Sequence, residues 1–267
     1  MNEVVIITGS SAGIGYDLSK YLIEKGYIVY GLSRSDTNIK GINHIKCDVT
    51  NETLVNEVIN NIYKKEGKID ILINNAGMGI SGSVEATMLE DVKYIYNVNV
   101  FAPFITTKAI LPIMRKQKYG KIVNVGSVAS EFPIPFQSFY SATKASLKAF
   151  GEALYSEVSP YGIKVSTILP GDIKTDFTQN RNKNINEIDV YNKRVLKSLE
   201  VMEKDEQNGY DVRYASKKIY KVIKRKNMPL TKVIGPKYSF LLFLKRLLPI
   251  KLVTNLVGKI YGFKRTR

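Results

Sequence analysis

The segment Glu3-Val-Val-Ile-Ile-Thr8 holds an unbroken apolar run, Val4 to Ile7, and leads straight into Gly9-Ser-Ser-Ala-Gly13-Ile-Gly15 and an amphipathic stretch ending near Lys25. A short strand with no polar alternation is buried on both faces, which requires a parallel sheet covered by helices on each side. Further strand-like runs occur at 27–33, 43–47, 69–74, 121–126, 164–169 and 231–234, and helical patterns at 12–25, 51–66, 87–117, 138–158 and 211–226. Parallel strands need crossover connections, and helices between strands supply them. The predicted fold class is therefore α/β, with a doubly wound parallel β-sheet of about seven strands and helices on both faces. Thr50 or Asn51 is placed to cap the second helix, and Pro103 to bend the long one. At 267 residues with 44% hydrophobic content, a single domain can bury a large core.

Glycines between a strand and a helix let backbone amides approach a pyrophosphate at the positive end of the helix. The spacing is Gly-x-x-x-Gly-x-Gly, so the turn differs from the Gly-x-Gly-x-x-Gly fingerprint of other dinucleotide folds. In a Rossmann-type sheet, ligands bind beyond the carboxyl ends of the strands. The Gly9 turn, Asp48, Asn75, Ser127 and Pro170 all fall at or just past predicted strand ends. The second strand ends Leu32-Ser33-Arg34. A carboxylate there would repel a 2′-phosphate, whereas the Arg34 guanidinium offers it a fork of donors, so the expected cofactor is NADP(H).

Tyr140 and Lys144 are four residues apart and share a helix face. A phenol titrates near ~10 and is a poor proton carrier at neutral pH. At an effective dielectric of ~20, a cation about 5 Å away contributes roughly 3 kcal/mol, or about two pK units toward the phenolate. The expectation is a Tyr140 pKa lowered by Lys144 into the range of a general acid or base. The Ser127 hydroxyl, at the end of the run Lys121-Ile-Val-Asn-Val-Gly126, would hold the substrate oxygen.

Taken together these residues resemble the short-chain dehydrogenase/reductase family, from about Val4 to Asp176. Thr8-Gly9-Ser-Ser-Ala-Gly13-Ile-Gly15 fits its cofactor turn, with Ser11 and Ile14 inside it. Cys47-Asp48-Val49 fits the strand end that holds the adenine, and Asn74-Asn75-Ala76-Gly77 the central-strand motif. Pro170-Gly171-Asp-Ile173-Lys-Thr175 fits the segment beside the nicotinamide. The resemblance implies a catalytic tetrad of Asn99, Ser127, Tyr140 and Lys144. Lys144 would also bond the nicotinamide ribose, and Asn99 would hold a water that relays protons to Lys144. Gly77-Met-Gly79-Ile-Ser-Gly82 and Gly126-Ser-Val-Ala look most like the subgroup of hydroxysteroid and retinol dehydrogenases. That likeness implies a hydrophobic alcohol or ketone substrate (steroid-, retinoid- or lipid-like) bound at Ser127 and Tyr140, with 176–210 as a lid. The apolar stretch Phe132-Pro-Ile-Pro-Phe136 is a candidate pocket wall. A carbonyl or 3-oxoacyl-carrier reductase is the alternative activity. A non-catalytic nucleotide-binding scaffold is the alternative class, and the four filled tetrad positions weigh against it. Family members commonly pair through helices equivalent to 87–117 and 138–158, so a homodimer or homotetramer is expected.

Charge is unevenly distributed. The chain carries a net charge of +16, and all of it arises after residue 211: Val212 to Arg267 holds sixteen Lys or Arg and no Asp or Glu. Residues 1–235 are expected to form the catalytic domain and 236–267 a basic, apolar extension. That extension either packs on the core or lies on an anionic membrane surface. It lacks a nucleic-acid-binding module, so no nucleic-acid partner is expected. The lone Cys47 cannot form an intramolecular disulfide, and the lone His44 cannot build a His-based metal site, so no metal is expected. No secretory signal pattern opens the sequence. The expected location is the cytoplasm, with peripheral attachment at the inner face of a membrane as the further option.

Overall fold

The computed structural model describes residues 2–183 and 191–261. Seven strands form one parallel sheet: β1 (Val4–Thr8), β2 (Ile28–Ser33), β3 (Asn43–Lys46), β4 (Ile71–Asn74), β5 (Gly120–Val125), β6 (Ile163–Pro170) and β7 (Thr231–Ile234). Their spatial order is 3-2-1-4-5-6-7. The order reverses at β1, so its carboxyl end opens onto a crevice between β2 and β4. In register, Val5 pairs with Val29 on one side of β1 and with Ile71 on the other.

The unbroken apolar run of β1 divides its side chains between two cores. Val4 and Ile6 pack with α2 (Glu52–Glu66), α4 (Ala102–Gln117) and α5 (Ser138–Val158). Val5 and Ile7 pack with α1 (Gly13–Glu24) and α7 (Val212–Ile223). Period-two alternation thus feeds both faces of the sheet. Of the two cap candidates Asn51 serves, its side chain accepting from Leu54 N at 3.0 Å. Gly67 ends the same helix in the left-handed conformation.

The long helix expected over 87–117 is interrupted by a different device from a proline bend. It consists of α3 (Leu89–Tyr96), one π turn over Asn97–Phe101, and α4. Pro103 has no N–H for the carbonyl four residues back, and the Ala102 N–H reaches back five residues to Asn97. Past β6, residues 176–183 lead toward α6 (Asn192–Gln207), whose Val195, Leu199 and Met202 pack with Ile134, Phe136, Tyr191 and Tyr261. The remainder of the expected lid, 184–190, lies outside the described residues, as do 262–267 of the extension. The extension itself folds as α8 (Pro236–Lys245) and α9 (Ile250–Ile260). No helix among the described residues is long and apolar enough to cross a membrane.

Candidate active site

A cleft of about 660 Å³ runs along the carboxyl ends of the strands. Of the residues singled out in the sequence, Gly9, Ser11, Gly13, Ile14, Ser33, Arg34, Asp48, Val49, Asn75, Ala76, Gly77, Ser127, Tyr140, Lys144, Pro170, Gly171, Ile173 and Thr175 line it. Gly15 and Asn99 stand behind the lining. A Cβ on Gly15 would lie 2.2 Å from the Gly9 carbonyl, so glycine there lets α1 start directly against the turn. The turn is tied to β4 by Asn75, whose Nδ2 donates to Thr8 O at 2.9 Å and Gly9 O at 3.1 Å.

The cleft matches the donor set a dinucleotide requires. The first turn of α1 follows Ala12, which provides no side-chain cap, so its amides are left to meet an anion at the cleft floor. Just past β3, burial pushes the Asp48 carboxyl up, but hydrogen bonds from Thr50 and the Arg34 charge outweigh it and hold it below the usual range. Arg34 is exposed at the rim, its Nη1 donating to Tyr94 Oη at 2.6 Å. Ser33 is turned inward, where its hydroxyl meets His44 Nε2 and donates to the Ser35 carbonyl, both at 2.9 Å. His44 thus braces β2 against β3.

At the other end stand the four tetrad candidates. Ser127 caps a short 3₁₀ turn, its Oγ accepting from Ala129 N at 3.1 Å. The Ser127 hydroxyl acts on the Tyr140 phenol to favour its ionised form. Lys144 lies on the same face of α5, its Nζ 5.7 Å from the centre of the Tyr140 ring and donating to Val125 O at 3.2 Å. Asn99, on the π turn, is fully buried. Its Oδ1 accepts from Met78 N at 2.9 Å, and its Nδ2 donates to Met78 O at 2.9 Å and Thr143 Oγ1 at 3.1 Å. Both amide N–H bonds are therefore committed to clamping the β4 loop onto α5.

Electrostatics correct one expectation. Burial pushes the Tyr140 phenol up to about 12, and the nearby Ser127 hydroxyl only partly offsets this. The spacing argument counted the attraction of Lys144 and left out desolvation, which is the larger effect. The ammonium is bonded to a backbone carbonyl, and burial lowers its own pKa to about 8.

The substrate end contains groups with no local sequence signal. Phe177 stacks obliquely on Tyr140, ring centres 5.8 Å apart. Glu206 of α6 reaches the cleft, paired with buried Arg181 and accepting from Thr178 Oγ1 at 2.5 Å. Asp172 pairs with the Tyr238 hydroxyl from α8, and the Tyr238 ring packs on Gly171. These partners are 25 to 66 residues apart in the chain, so only the fold brings them together. The motif Pro170-Gly-Asp was the one available pointer to Asp172. The expected wall at Phe132–Phe136 is narrower than the sequence suggested. Ile134 lines the cleft, while Phe136 packs against α6 and Phe132 lies under Lys245. Ile134 alone of this segment's large apolar residues faces the cleft because the others are needed to seat α6 and α8.

A family model for short chain dehydrogenases matches residues 3–186. The chain is 41% identical over 239 residues to the 3-ketodihydrosphingosine reductase of Bacteroides thetaiotaomicron, covering 88% of each protein. Among solved structures, a short-chain dehydrogenase from Streptomyces avermitilis superposes with a TM-score of 0.85 at 26% identity, over 97% of both chains. ElxO with NADP bound superposes at 0.76 and 26% identity, over 90% of this chain and 100% of that one. The protein belongs to the short-chain dehydrogenase/reductase family. It is an oxidoreductase of a class that acts on CH–OH groups with NAD(P)(H).

Proposed function

We propose that the protein uses NADPH to reduce the ketone of a long-chain, lipid-like substrate to the alcohol. The observation that carries this reading is that Ser127, Tyr140 and Lys144 line one cleft together, the Lys144 ammonium 5.7 Å from the Tyr140 ring. Two hydroxyls that line one cleft can both donate to the oxygen of a carbonyl placed between them. The amides of Gly13 and Ile14 would hold the pyrophosphate, Asp48 and Val49 the adenine, and Arg34 a 2′-phosphate. Pro170, Gly171, Ile173 and Thr175 would flank the nicotinamide. When bound, this cofactor supplies the hydride.

The chain supplies the proton and the positioning. Ser127 orients the carbonyl oxygen, and Tyr140 gives its proton to that oxygen as charge builds there. A phenol titrating at about 12 is fully protonated at neutral pH, which suits a proton donor and therefore reduction. Alcohol oxidation needs the phenolate, so that direction should gain rate as the pH rises. Lys144, mostly charged below a pH of about 8, favours the phenolate left after transfer.

The lipid reading is supported by the 41% identity to a 3-ketodihydrosphingosine reductase. Met78, Val128, Ile134 and Phe177 add apolar surface near Tyr140. NADPH consumption measured over long-chain keto-lipid, steroid, retinoid and acyl-carrier substrates, with NADH as control, tests the assignment. Fastest turnover of 3-ketodihydrosphingosine or a close long-chain ketone is expected. Turnover confined to acyl-carrier substrates would replace the lipid reading. Tyr140→Phe should abolish turnover and leave NADPH affinity within about threefold, because the phenol acts only at the transition state. A variant that still turns over would remove Tyr140 as the proton donor.

A further inference from the structure

Helices α8 and α9 each have one face on the enzyme and one turned away from it. Inward, Tyr238 packs on Gly171 and bonds Asp172, Lys245 Nζ reaches Glu131 at 2.7 Å, and Val253 and Gly258 are buried. Tyr261, just past α9, joins the apolar cluster of α6. Outward, Phe240, Phe243, Leu247, Ile250, Leu256 and Ile260 are between 45% and 67% exposed. Positions 240, 243 and 247 follow the spacing of one helical stripe, as do 256 and 260, and the two most exposed side chains, Leu247 and Ile250, flank the bend between the helices. Monomeric surfaces rarely leave so many large apolar side chains contiguous.

Charge selects the occupant. Lys237, Arg246, Lys251 and Lys259 are exposed on the same two helices, and no acidic residue occurs anywhere from Val212 to the end of the chain. A second copy would bring the same cations face to face and repel. An apolar stripe bordered only by cations complements a surface with hydrocarbon beneath and anionic phosphate above. With 10 and 11 residues, α8 and α9 are too short to span such a surface and can only lie along it.

We propose that α8 and α9 are a docking face that seats this enzyme on an anionic lipid bilayer, with the Leu247–Ile250 bend inserted. The same helices are fastened to both sides of the substrate end of the cleft, through Tyr238 to Asp172 and through Tyr261 to α6. Docking therefore brings that end of the cleft to the membrane. The proposal does not depend on the substrate reading, because the lipid contact is measured without turnover.

The test uses the full chain and vesicles of phosphatidylcholine with or without phosphatidylglycerol. Cosedimentation is expected with the anionic vesicles, weakened by high salt, and weaker by about tenfold or more on neutral ones. Phe243→Ser with Leu247→Ser, and separately Arg246→Glu with Lys251→Glu, should each reduce binding by about tenfold or more while NADPH-dependent turnover of a short soluble ketone stays at the parent level. The chain has no Trp, so Leu247→Trp provides a background-free reporter. Its emission should shift to the blue on anionic vesicles and be quenched by brominated acyl chains. Absence of vesicle binding by the parent protein, or an unchanged emission from Leu247→Trp, would overturn the proposal. So would sedimentation showing that the Ser substitutions split an oligomer, which would make a second copy the occupant.

Discussion

Lys144 is a cation held at 5% exposure, and its burial alone brings its pKa from 10.5 to about 8. Below a pH of about 8 it is charged in both folded and unfolded chains, so the full cost of burying the charge is borne by the fold. Between 8 and 10.5 the folded protein gives up the proton first, and the cost fades as the pH rises. Lys144→Met should therefore raise stability in urea at pH 7 by roughly 3 kcal/mol, an advantage gone above pH ~10.5, while turnover is lost. Equal stability of the two proteins at pH 7 would mean that the ammonium is better compensated than one bond to Val125 O allows. Arg34 poses a separate question, that of cofactor choice. It is held at the rim by Tyr94, in the same cleft as Asp48 and Val49, which are expected to hold the adenine. Arg34→Glu exchanges a donor fork for a repelling carboxylate. The KM for NADPH should rise by about tenfold to a hundredfold, with a much smaller effect on NADH. Parallel changes for both cofactors would refute the 2′-phosphate assignment.

Tyr140 and Lys144 occupy their places only because α5 lies close on the sheet. Gly151, two turns beyond Lys144, makes that approach possible: a Cβ there would lie 2.4 Å from Thr167 Oγ1 on β6. Gly151→Ala should force the helix outward, costing about 1–3 kcal/mol in a urea melt, and should lower kcat more than the KM for NADPH. Unchanged kcat would show that the tetrad tolerates a shifted α5. The central strands were legible because each is a short, mostly apolar run bounded by turn residues, a signal that survives without tertiary context, while polar β3 (Asn43–Lys46) and β7 (Thr231–Ile234) follow from the alternation of strands with helices. The motif residues were legible for the same reason, since they sit at strand ends where sequence and topology coincide. The π turn was not legible: Pro103 marks a disturbance in the helix but not its form. The α8 and α9 helices escaped because each is short and only Arg246–Pro249 separates them, so the segment read as one basic, apolar extension. The pairs Arg181–Glu206 and Asp172–Tyr238 join distant segments and leave no local trace. The Tyr140 pKa was misjudged because a spacing gives a Coulomb attraction directly, whereas desolvation depends on everything that encloses the group.

Among the described residues, two of the exposed apolar surfaces differ in character. One is the basic face of α8 and α9. The other is on α4 and α5, where Phe101, at the end of the π turn, with Phe104 and Tyr155, is exposed beside the half-buried Leu111 and Phe150. These helices cover one flank of the sheet, while α8 and α9 attach near the strand ends, at Gly171 and Glu131. The second surface includes Glu152 and Glu157 as well as cations, so two copies can meet there without the like-charge penalty that the basic face imposes. Sedimentation of the full chain is expected to give a dimer or tetramer. Phe104→Glu with Tyr155→Glu should yield a monomer by placing charges in the apolar centre of that contact. An association driven by apolar burial holds or tightens as salt is added, whereas attraction of cations to anionic lipid is screened. Raising the ionic strength should thus release the protein from vesicles without dissociating it. If both interactions failed together at high salt, the self-association would have to be assigned to the charged face, and the division of labour between the two surfaces would be wrong.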